Sequence, residues 1–450
     1  MPDQPLLFNQ RDLGHGATQT TLDPAVMVVL LLACVLILFL RRKYIVIPLL
    51  MTAFLVPRGQ ELYVFGQHWY VLRILILVGL VRLAVAKFQI AGRLNNIDKV
   101  FIVWALYRVT AILLTNWPNA VGEQMAFWLQ AFGGYFLLRY LIQDEDDIAL
   151  AAKALAVVVV VLGASMINEQ MRGVNIFGYL GGAPLAPEVR NGTPRAQATF
   201  GHAILAGCFG ATLVPLFFWL WKSGRAKTLA AAGLAGSTTM MLMSYSSTPV
   251  LAWVAGVGAL FLWPIRGSMR VVRWGIVLSV ITLALVMKAP VWFAINHINI
   301  IGGSGGYDRA FLIDTCIRHF KDWWLIGTNQ NGNWGYDMWD QSNQFVAEAE
   351  LGGLLTLVCF IAILSRSFGR LGNLRKLVDR EQEWLLWSLG AVMLAHIFAY
   401  FGVAYWDQTQ LWWFAFLAMI SAATVGLGNS SAAMESAEAE TADEYQVVPR

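Results

Sequence analysis

The chain has 450 residues, of which 58% are hydrophobic and only 13% are charged, and its formal net charge is +4. Soluble domains are roughly 45–50% apolar and about 25% charged, so this composition excludes an ordinary soluble domain and indicates an integral membrane protein. The net charge is small and we expect no nucleic acid partner. The four cysteines do not have the spacing of a disulfide framework.

Hydrophobic runs separated by polar loops predict an all-α polytopic membrane protein with about 12 or 13 transmembrane helices, since each span needs about 20 apolar residues. The short run Tyr44–Val56 is expected to be tilted or to form half of a re-entrant hairpin. The predicted spans are Leu22–Leu40, Tyr44–Val56, Trp69–Ala86, Lys99–Leu114, Gln124–Ile142, Leu150–Ile167, Gly201–Trp221, Thr228–Met243, Val250–Trp263, Trp274–Met287, Phe345–Leu364, Trp384–Phe401 and Thr409–Leu427.

These spans form one domain, residues 25–427, after a polar N-terminal tail, residues 1–24, that does not read as a cleavable signal peptide. Residues 428–450 are rich in Ala, Ser and Glu, which predicts a disordered cytoplasmic tail. Lys and Arg cluster in loops that share one side, and the positive-inside rule places that side in the cytoplasm. The basic positions are Arg41, Arg42, Lys43, Lys87, Arg93, Lys222, Arg225, Lys227, Arg266, Arg270, Arg273 and the segment Arg366–Arg380.

The acidic turn Gln143–Asp147 also falls on the basic side, since acids contribute little to orientation. Two long polar loops, residues 168–200 and 290–344, fall together on the opposite face, with the N-terminal tail. The larger of them mixes Gly, Asn, Asp, Arg, His and Trp, which a membrane core would reject. We therefore expect the spans to hold these two loops at one membrane surface, where they would carry the chemistry.

The first long loop is unusual because external loops are normally poor in basic residues. Its basic residues, with the histidine just inside the next span, are Arg172, Arg190, Arg195 and His202. A guanidinium offers a planar, permanently charged fork to anionic oxygens, so these arginines are candidates to bind phosphate. The alternative is that they pair with Glu169 and Glu188 or with lipid headgroups.

In the large loop, a glycine-rich turn at Ile300–Gly306 precedes a predicted helix over Tyr307–Phe320, with Asp308 in its N-cap region. Spacing near 3.6 places four apolar residues on one face, which we expect to lie on the membrane surface or to pack over the spans. Those residues are Ala310, Ile313, Ile317 and Phe320.

Arg309 would occupy the first turn of this helix, where a positive charge opposes the helix dipole. Its position therefore suggests an anionic partner, although a solvated surface arginine is the alternative. Asp314 and Arg318 are four residues apart, which favours a surface ion pair rather than a site. His319 is interpreted as a surface residue.

The rest of the large loop is rich in aromatic and amide side chains, including Trp323, Trp324, Trp334 and Trp339. Sugars stack on aromatic faces, but tryptophans are also common in membrane interfaces. Asp337 and Asp340 are weak candidates to meet a cation, and no zinc or calcium spacing is present. We therefore expect neither a metal nor another cofactor.

Further polar candidates lie at the ends of two spans. Asn343 stands where the large loop returns to the membrane, and Glu348 and Glu350 follow in the first turns of the span. Intramembrane acids are functional by default, although solvation at the helix end is the alternative. The segment Ser244–Ser247 is polar enough to line a cavity, but a helix-end cap explains it as well.

Residues 195–364 resemble the O-antigen ligase and polymerase superfamily in the order, spacing and membrane side of their motifs. An arginine loop leads into a Gly-His span, RAQATFGHAILAG, and a serine-rich helix end follows, SYSSTPVLAW. The large loop then has the Gly-Arg and amphipathic-helix pattern, GGYDRAFLIDTCIRHFKDWWLIGT, and the closing span reads QSNQFVAEAELGGLLTLVCFIAIL.

The resemblance implies a C-type glycosyltransferase architecture with one large periplasmic loop, in the bacterial inner membrane. It implies transfer of a glycan from a lipid pyrophosphate, undecaprenyl in this family, to an acceptor hydroxyl, with inversion and without metal or nucleotide. The partners would be the lipid-linked oligosaccharide donor, a glycan or lipid-glycan acceptor, membrane lipids and other polysaccharide-assembly proteins.

The resemblance also assigns roles to residues of this chain. Arg195 and Arg309 would hold the pyrophosphate, because a pyrophosphate leaving group needs positive charge rather than a proton. The catalytic set is completed by Asn343 and Glu348. The substrate-binding candidates are Arg172, Arg190, His202, Asp308, Trp334, Asp340 and Ser342.

The chain departs from the ligases at Ser342, where they carry a histidine. The role of that histidine as general base or acceptor-orienting group is then unfilled or moved to Asp340, Glu348 or His202. This departure leaves an exopolysaccharide polymerase open beside a ligase.

Two other classes of function compete with glycan transfer. A transporter or flippase would need polar groups near mid-membrane and broken helices in related halves. The sequence shows no internal repeat, and its span arginines, Arg73, Arg82, Arg108 and Arg139, lie mostly near span ends. The remaining alternative is a structural membrane subunit whose loop docks a partner.

Overall fold

A computed structural model of the protein describes residues 20–64, 66–86, 89–116, 121–297, 300–301, 305–335, 338 and 342–425. The described chain is mostly helical, and five of its helical segments are long and apolar enough to cross a membrane. These segments are Glu145–Arg172, Ala203–Lys222, Trp263–Val286, Gln344–Leu374 and Arg380–Tyr400. The protein is therefore an α-helical multi-pass membrane protein by length and composition of its helices.

The helices follow the predicted spans closely. In chain order they are α1 Pro24–Phe39, α2 Val46–Leu55, α3 Val71–Ala86, α4 Asn96–Asn116, α5 Val121–Trp128, α6 Gly134–Leu141, α7 Glu145–Arg172, α8 Ala203–Lys222, α9 Lys227–Met243, α10 Ser247–Phe261, α11 Met269–Val286, α12 Gly306–Arg318, α13 Phe320–Trp323, α14 Gln344–Leu374, α15 Arg380–Tyr400 and α16 over residues 407–425. Each of the thirteen predicted spans lies on one of these helices or, for Gln124–Ile142, on α5 and α6 joined by a π-helical turn at Leu129–Gly133.

The two antiparallel β-hairpins are a departure from the predicted all-α fold. One pairs β1, Glu61–Val64, with β2, Gln67–Tyr70, and the other pairs β3, Glu188–Arg190, with β4, Thr193–Arg195. Both lie in loops between helices, where the chain reverses direction within a few residues. At the second turn Asn191 and Gly192 both have positive φ, as tight hairpin turns require.

Small residues allow α7, α8 and α9 to pack closely. A Cβ added at Gly236 of α9 would lie 2.7 Å from the Val159 carbonyl oxygen of α7, and one at Gly210 of α8 would lie 2.7 Å from the Ser237 carbonyl oxygen. Such approaches of backbone to backbone are typical of helix pairs in membranes, where small residues form the interface. These three helices carry the first long loop at one of their ends.

The predicted basic loops meet at one end of the helix bundle, where ion pairs join them. Arg42, between α1 and α2, donates to Asp147 at 2.7 Å, and Arg225, between α8 and α9, pairs with Glu145 at 2.8 Å. Arg266, between α10 and α11, pairs with Glu383 of α15 at 3.0 Å. The acidic turn before α7 is thus explained by its partners, which are arginines from neighbouring loops.

The opposite end gathers the remaining loops, including the two long ones. Thr21, before α1, donates its backbone N–H to the Glu61 carbonyl at 3.1 Å. Gly59 donates to the Gly182 carbonyl at 2.8 Å, which joins the first hairpin region to the first long loop. The polar segment before α1 therefore reaches the same end as the long loops, as predicted. We call this end the loop end.

Helix α12 buries a different face from the one predicted. Ala310 is buried as expected, but Ile317 and Phe320 are 49% and 43% exposed. The buried residues are instead Leu312 and Cys316, which form a small core with Trp323, Met338, Val346 and Ala349. The prediction was wrong because it scored only large aliphatic residues, while this helix packs on α14 through a leucine and a small thiol.

Helix α14 is broken in its first third. Gly352 and Gly353 have non-helical backbone angles, with φ of +71° at Gly353, and the chain resumes its helix beyond them. The residues after α13 fit into this break, because a Cβ at Gly353 would lie 2.5 Å from the Leu325 carbonyl oxygen. The large loop is thereby fastened to the span that follows it.

Candidate functional site

Arg195 is buried at the base of the second hairpin, at 1% exposure. Its Nη1 donates to Glu188 Oε2 at 2.7 Å across the hairpin, and its Nη2 donates to the Ser246 hydroxyl at 2.7 Å. Burial lowers the pKa of the guanidinium, and the Glu188 carboxylate opposes that shift. The Nε atom is buried without a hydrogen-bond partner among the described residues.

The pairing of Arg195 with Glu188 agrees with the structural alternative considered for the loop arginines, but Glu169 does not pair with any of them. Glu169 instead accepts the backbone N–H groups of Gln197 at 3.1 Å and Ala198 at 2.9 Å. It is fully buried at the end of α7 and holds the segment that follows Arg195. Its contacts therefore position the arginine's strand rather than neutralise a charge.

His202 caps the N-terminus of α8 beside this hairpin. Its Nδ1 accepts the Ile204 N–H at 3.2 Å, so the proton of the neutral ring is on Nε2. Nε2 lies 3.8 Å from Glu188 Oε2, and the side chain is 40% exposed. Desolvation and the charge of Arg195 lower the pKa of the imidazole to about 4, so the ring is neutral and presents an N–H donor near pH 7.

Two adjacent serines join Arg195 to the large loop. Ser246 holds the Arg195 guanidinium, and Ser247, the first residue of α10, accepts the Ile301 N–H at 3.1 Å. Ile301 lies eight residues before Arg309. The segment Ser244–Ser247 therefore does more than cap a helix, because it connects the two long loops at one point.

Arg309 lies in the first turns of α12, as predicted, and is half-buried. It is close enough to Cys208, on α8, to interact with it electrostatically. Both arginines thus lie at the N-terminal end of α8: Arg195 lies beside His202 at the cap, and Arg309 lies near the second turn. The N-cap of α12 is Gly305 rather than Asp308, which is exposed in the first helical turn.

Asn343 caps the N-terminus of α14. Its Oδ1 accepts the Phe345 N–H at 2.9 Å and the Val346 N–H at 3.2 Å, while Nδ2 is buried without a partner among the described residues. Ser342, which replaces the family histidine, is half-buried beside it. The prediction of a capping position at the return to the membrane is confirmed; a role in catalysis is not shown by this geometry.

Glu348 is fully buried and holds three donors. It accepts Trp104 Nε1 at 2.8 Å and Gln344 Nε2 at 2.7 Å, and it pairs with Arg108 Nη1 at 3.4 Å. Gln344 in turn accepts the Tyr405 N–H at 2.6 Å. The carboxylate therefore joins α4 and α14 inside the bundle, and its burial does not offer it to a substrate at the loop end.

The other predicted binding residues are placed apart or lie outside the described residues. Arg172 is exposed in the last turn of α7, and Arg190 is half-buried at the hairpin turn, where its charge acts on Arg195 and His202. Trp334 stacks on His319, with ring centroids 5.0 Å apart. Asp340, Asp337 and Trp339 fall outside the described residues.

Arg58 is a member of this region that the sequence analysis missed. It forms an ion pair with Asp407, and its guanidinium lies 4.2 Å from the centroid of the Trp406 ring. A Cβ at Gly201 would lie 2.4 Å from the Trp406 ring and 3.1 Å from the Arg58 side chain, so the pair borders His202. The signal that could have found it is the one used for Arg195, an arginine in an external loop.

The arrangement presents cationic and N–H donors at the loop end. Arg195, Arg309, Arg190 and Arg58 supply positive charge, His202 supplies an N–H, and Glu188 is a carboxylate that is 43% exposed. Such a donor set suits an anionic oxygen-rich ligand. Among the described residues, no cluster of three or more His, Cys, Asp and Glu side chains is placed to hold a metal ion. Comparison of the chain with protein-family models and with curated proteins gives no match.

Proposed function

We propose that the chain transfers a glycan from a lipid pyrophosphate donor to an acceptor hydroxyl, as a polymerase or ligase of surface polysaccharides. The observation that carries this proposal is the connection of the two long loops through Ser246 and Ser247. One serine binds the buried Arg195, and the other binds the chain that leads to Arg309. A site made from both loops matches the pattern that the resemblance implies, including a C-type architecture with its active site facing the periplasm.

The chemistry requires stabilisation of the leaving group more than activation of the sugar. The acceptor oxygen attacks the anomeric carbon, the bond from that carbon to the phosphate oxygen breaks, and the electron pair passes to the pyrophosphate. Arg195 and Arg309 would bind that developing charge, as fixed cations do in phosphoryl and acyl transfer. His202 would donate its Nε2–H to a phosphate or sugar oxygen.

A carboxylate is needed in this proposal to take the proton of the acceptor hydroxyl. Glu348 is unsuitable because it is 1% exposed and already accepts three donors. His202 is unsuitable because its Nδ1 is engaged in the helix cap and its Nε2 carries the proton. Glu188 is partly exposed beside Arg195, so we assign it the role of proton acceptor in place of the family histidine absent at Ser342.

The test compares two site arginines with a matched control on the same helix. Purified Arg195→Ala and Arg309→Ala proteins would be incubated with an undecaprenyl pyrophosphate-linked oligosaccharide and an acceptor glycan. We expect each to lose at least about 100-fold of the transfer rate, the usual cost of removing one group that stabilises transition-state charge. Arg318→Ala is the control, because Arg318 is 73% exposed and pairs only with Asp314 on the surface of α12.

The proposal fails if both site variants elongate or transfer glycan as fast as Arg318→Ala. Size-exclusion profiles and unfolding midpoints of all three variants show whether a loss of rate reflects the site or the fold. A normal rate in Arg309→Ala with loss in Arg195→Ala would restrict the site to the first long loop.

Transport of lipid-linked or small polar substrates is the second candidate, and the broken helix α14 is the observation that favours it. Broken helices line substrate paths in transporters. Here, however, the backbone after α13 fills the break: Leu354 N donates to the Trp324 carbonyl at 2.9 Å and Thr328 N donates to the Glu350 carbonyl at 2.8 Å. Movement of labelled donor lipid across proteoliposomes without glycan transfer would support transport instead.

A further inference from the structure

The segment Trp324–Asn329, which we call the strap, lies alongside two helices instead of outside the bundle. The Tyr107 hydroxyl of α4 donates to the Leu325 carbonyl at 2.6 Å. Four residues later, Asn329 Nδ2 donates to Asn116 Oδ1 at the end of α4, at 2.7 Å. The strap thus runs along α4 from within the helix to its outer end.

The geometry gives the depth of this segment. Tyr107 and Asn116 are nine residues apart, about 13 Å along a helix axis. The residues from Leu325 to Asn329 cover the same distance, since four extended residues span about 13 Å. On the other side, Gly352 lies eight residues below the start of α14 at Gln344, about 12 Å along that axis. Half of a hydrocarbon core is about 15 Å, so the inner end of the strap is at membrane depth.

The strap has the hydrogen bonds that non-helical backbone needs at such a depth. Trp324 donates its N–H to the Phe320 carbonyl at 3.0 Å and its carbonyl accepts from Leu354 at 2.9 Å. The Thr328 N–H bonds to the Glu350 carbonyl at 2.8 Å. Irregular backbone is tolerated in a bilayer only where its polar groups are paired in this way, here by the break in α14.

The side chains of the strap's inner end point away from the protein. Trp324 is 47% exposed and Leu325 is 56% exposed, next to the exposed Phe320 of α13 and Ile317 of α12. Large apolar groups in contact with water at one patch would be costly, and such patches mark interaction surfaces. At the depth of the strap, the surrounding medium is lipid.

We propose that the strap is a re-entrant element whose Trp324 and Leu325 side chains contact the acyl chains of the leaflet beneath the large loop. The strap would hold α12 and α13 at the membrane surface by lying in the hydrocarbon beside α4 and α14. This inference concerns the membrane contact of the loop and does not rest on the proposed transfer reaction.

The test measures the surroundings of single thiols in the strap and elsewhere in the loop. Leu325→Cys and Trp324→Cys proteins in liposomes of phosphatidylethanolamine and phosphatidylglycerol would be treated with a charged maleimide and with a membrane-soluble maleimide. Asn333→Cys is the control, because Asn333 is exposed in the same loop beyond the strap. The unmodified chain gives the background; Cys316 in this loop is buried, and burial raises the pKa of its thiol to about 12.

We expect the charged reagent to label the strap cysteines at least about tenfold more slowly than Asn333→Cys, because a charge enters hydrocarbon at high cost. The membrane-soluble reagent should label all three. Charged-reagent rates equal to the control would place the strap in water and overturn the proposal. Protection from both reagents in monodisperse protein would show that another protein surface covers the strap, and would overturn it as well.

Discussion

A single buried arginine shows how the loop end combines stability with a binding role. Arg195 is held by Glu188 and Ser246, so the hairpin is fixed before any ligand arrives, while its Nε has no partner among the described residues. A buried donor without a partner costs roughly 1–3 kcal/mol of stability. A ligand that supplies an oxygen to this atom would recover that energy, which is consistent with an anion site.

Stability of the loop end should depend on pH through His202. Its pKa is about 4 in the folded protein against an ordinary 6.5, so between these values the unfolded chain binds a proton that the folded chain does not. Stability is therefore full above about pH 6.5 and falls as the pH drops toward 4. His202→Asn keeps a good N-cap acceptor for α8 and lacks the titrating ring.

We expect the unfolding midpoint in detergent to fall less for His202→Asn than for the unmodified protein between pH 7 and pH 4.5. The difference should be about 2 °C at the lower pH, a modest value because the ring is 40% exposed. Melting curves at several pH values measure it. Parallel pH dependences in the two proteins would contradict the assignment of a neutral, desolvated histidine.

At the scale of elements, the spans could be predicted and their interruptions could not. Length and hydropathy placed thirteen helical segments, because each must satisfy its own backbone in lipid. The break at Gly352 and Gly353 escaped the same reasoning, since membrane helices tolerate glycine and nothing local shows that another segment fills the gap. The two hairpins escaped it as well, because only a few residues form each strand.

The candidate site divides in the same way. Arg195 and Arg309 were found because basic residues in external loops contradict the usual charge bias. The link between their loops through Ser246 and Ser247 was not predicted, because it joins residues more than 50 positions apart. The partner of Glu348 is 240 positions away in sequence, so its structural role was equally hidden.

The ion pair between α4 and α14 supports a prediction about stability. Arg108 and Glu348 are 11% and 1% exposed, so removing one partner leaves an uncompensated charge inside the protein. We expect Glu348→Ala to destabilise the protein by about 3 kcal/mol, whereas the double variant Arg108→Met with Glu348→Met should be close to the unmodified protein. Chemical unfolding in detergent measures both free energies.

The same pair separates a structural role from a catalytic one. If Glu348 only joins the helices, the double variant retains glycan transfer as well as stability. A stable double variant without transfer activity would restore Glu348 to the catalytic set implied by the resemblance. Equal stability of Glu348→Ala and the unmodified protein would contradict the importance of the buried pair.

At the scale of the molecule, the two ends differ in the way they use charge. At the basic end, loop arginines are matched by acids at the starts of α7 and α15, as in Arg42 with Asp147 and Arg266 with Glu383. At the loop end, Arg195, Arg190 and His202 share the single carboxylate of Glu188. The excess of positive charge over negative is therefore concentrated where the two long loops meet.

This division predicts which side of the membrane each terminus occupies. Thr21 is bonded to Glu61 at the loop end, and Thr424 receives a hydrogen bond from Arg370 near the other end of the bundle. The chain between them crosses the bundle an odd number of times. We expect an N-terminal epitope and an epitope inserted after Asn333 to be digested by protease added to spheroplasts, while a C-terminal fluorescent protein stays folded and protected. Digestion of all three, or protection of the N-terminal epitope beside a digested loop epitope, would require an even number of crossings and would move the arginines of the two long loops to opposite sides of the membrane.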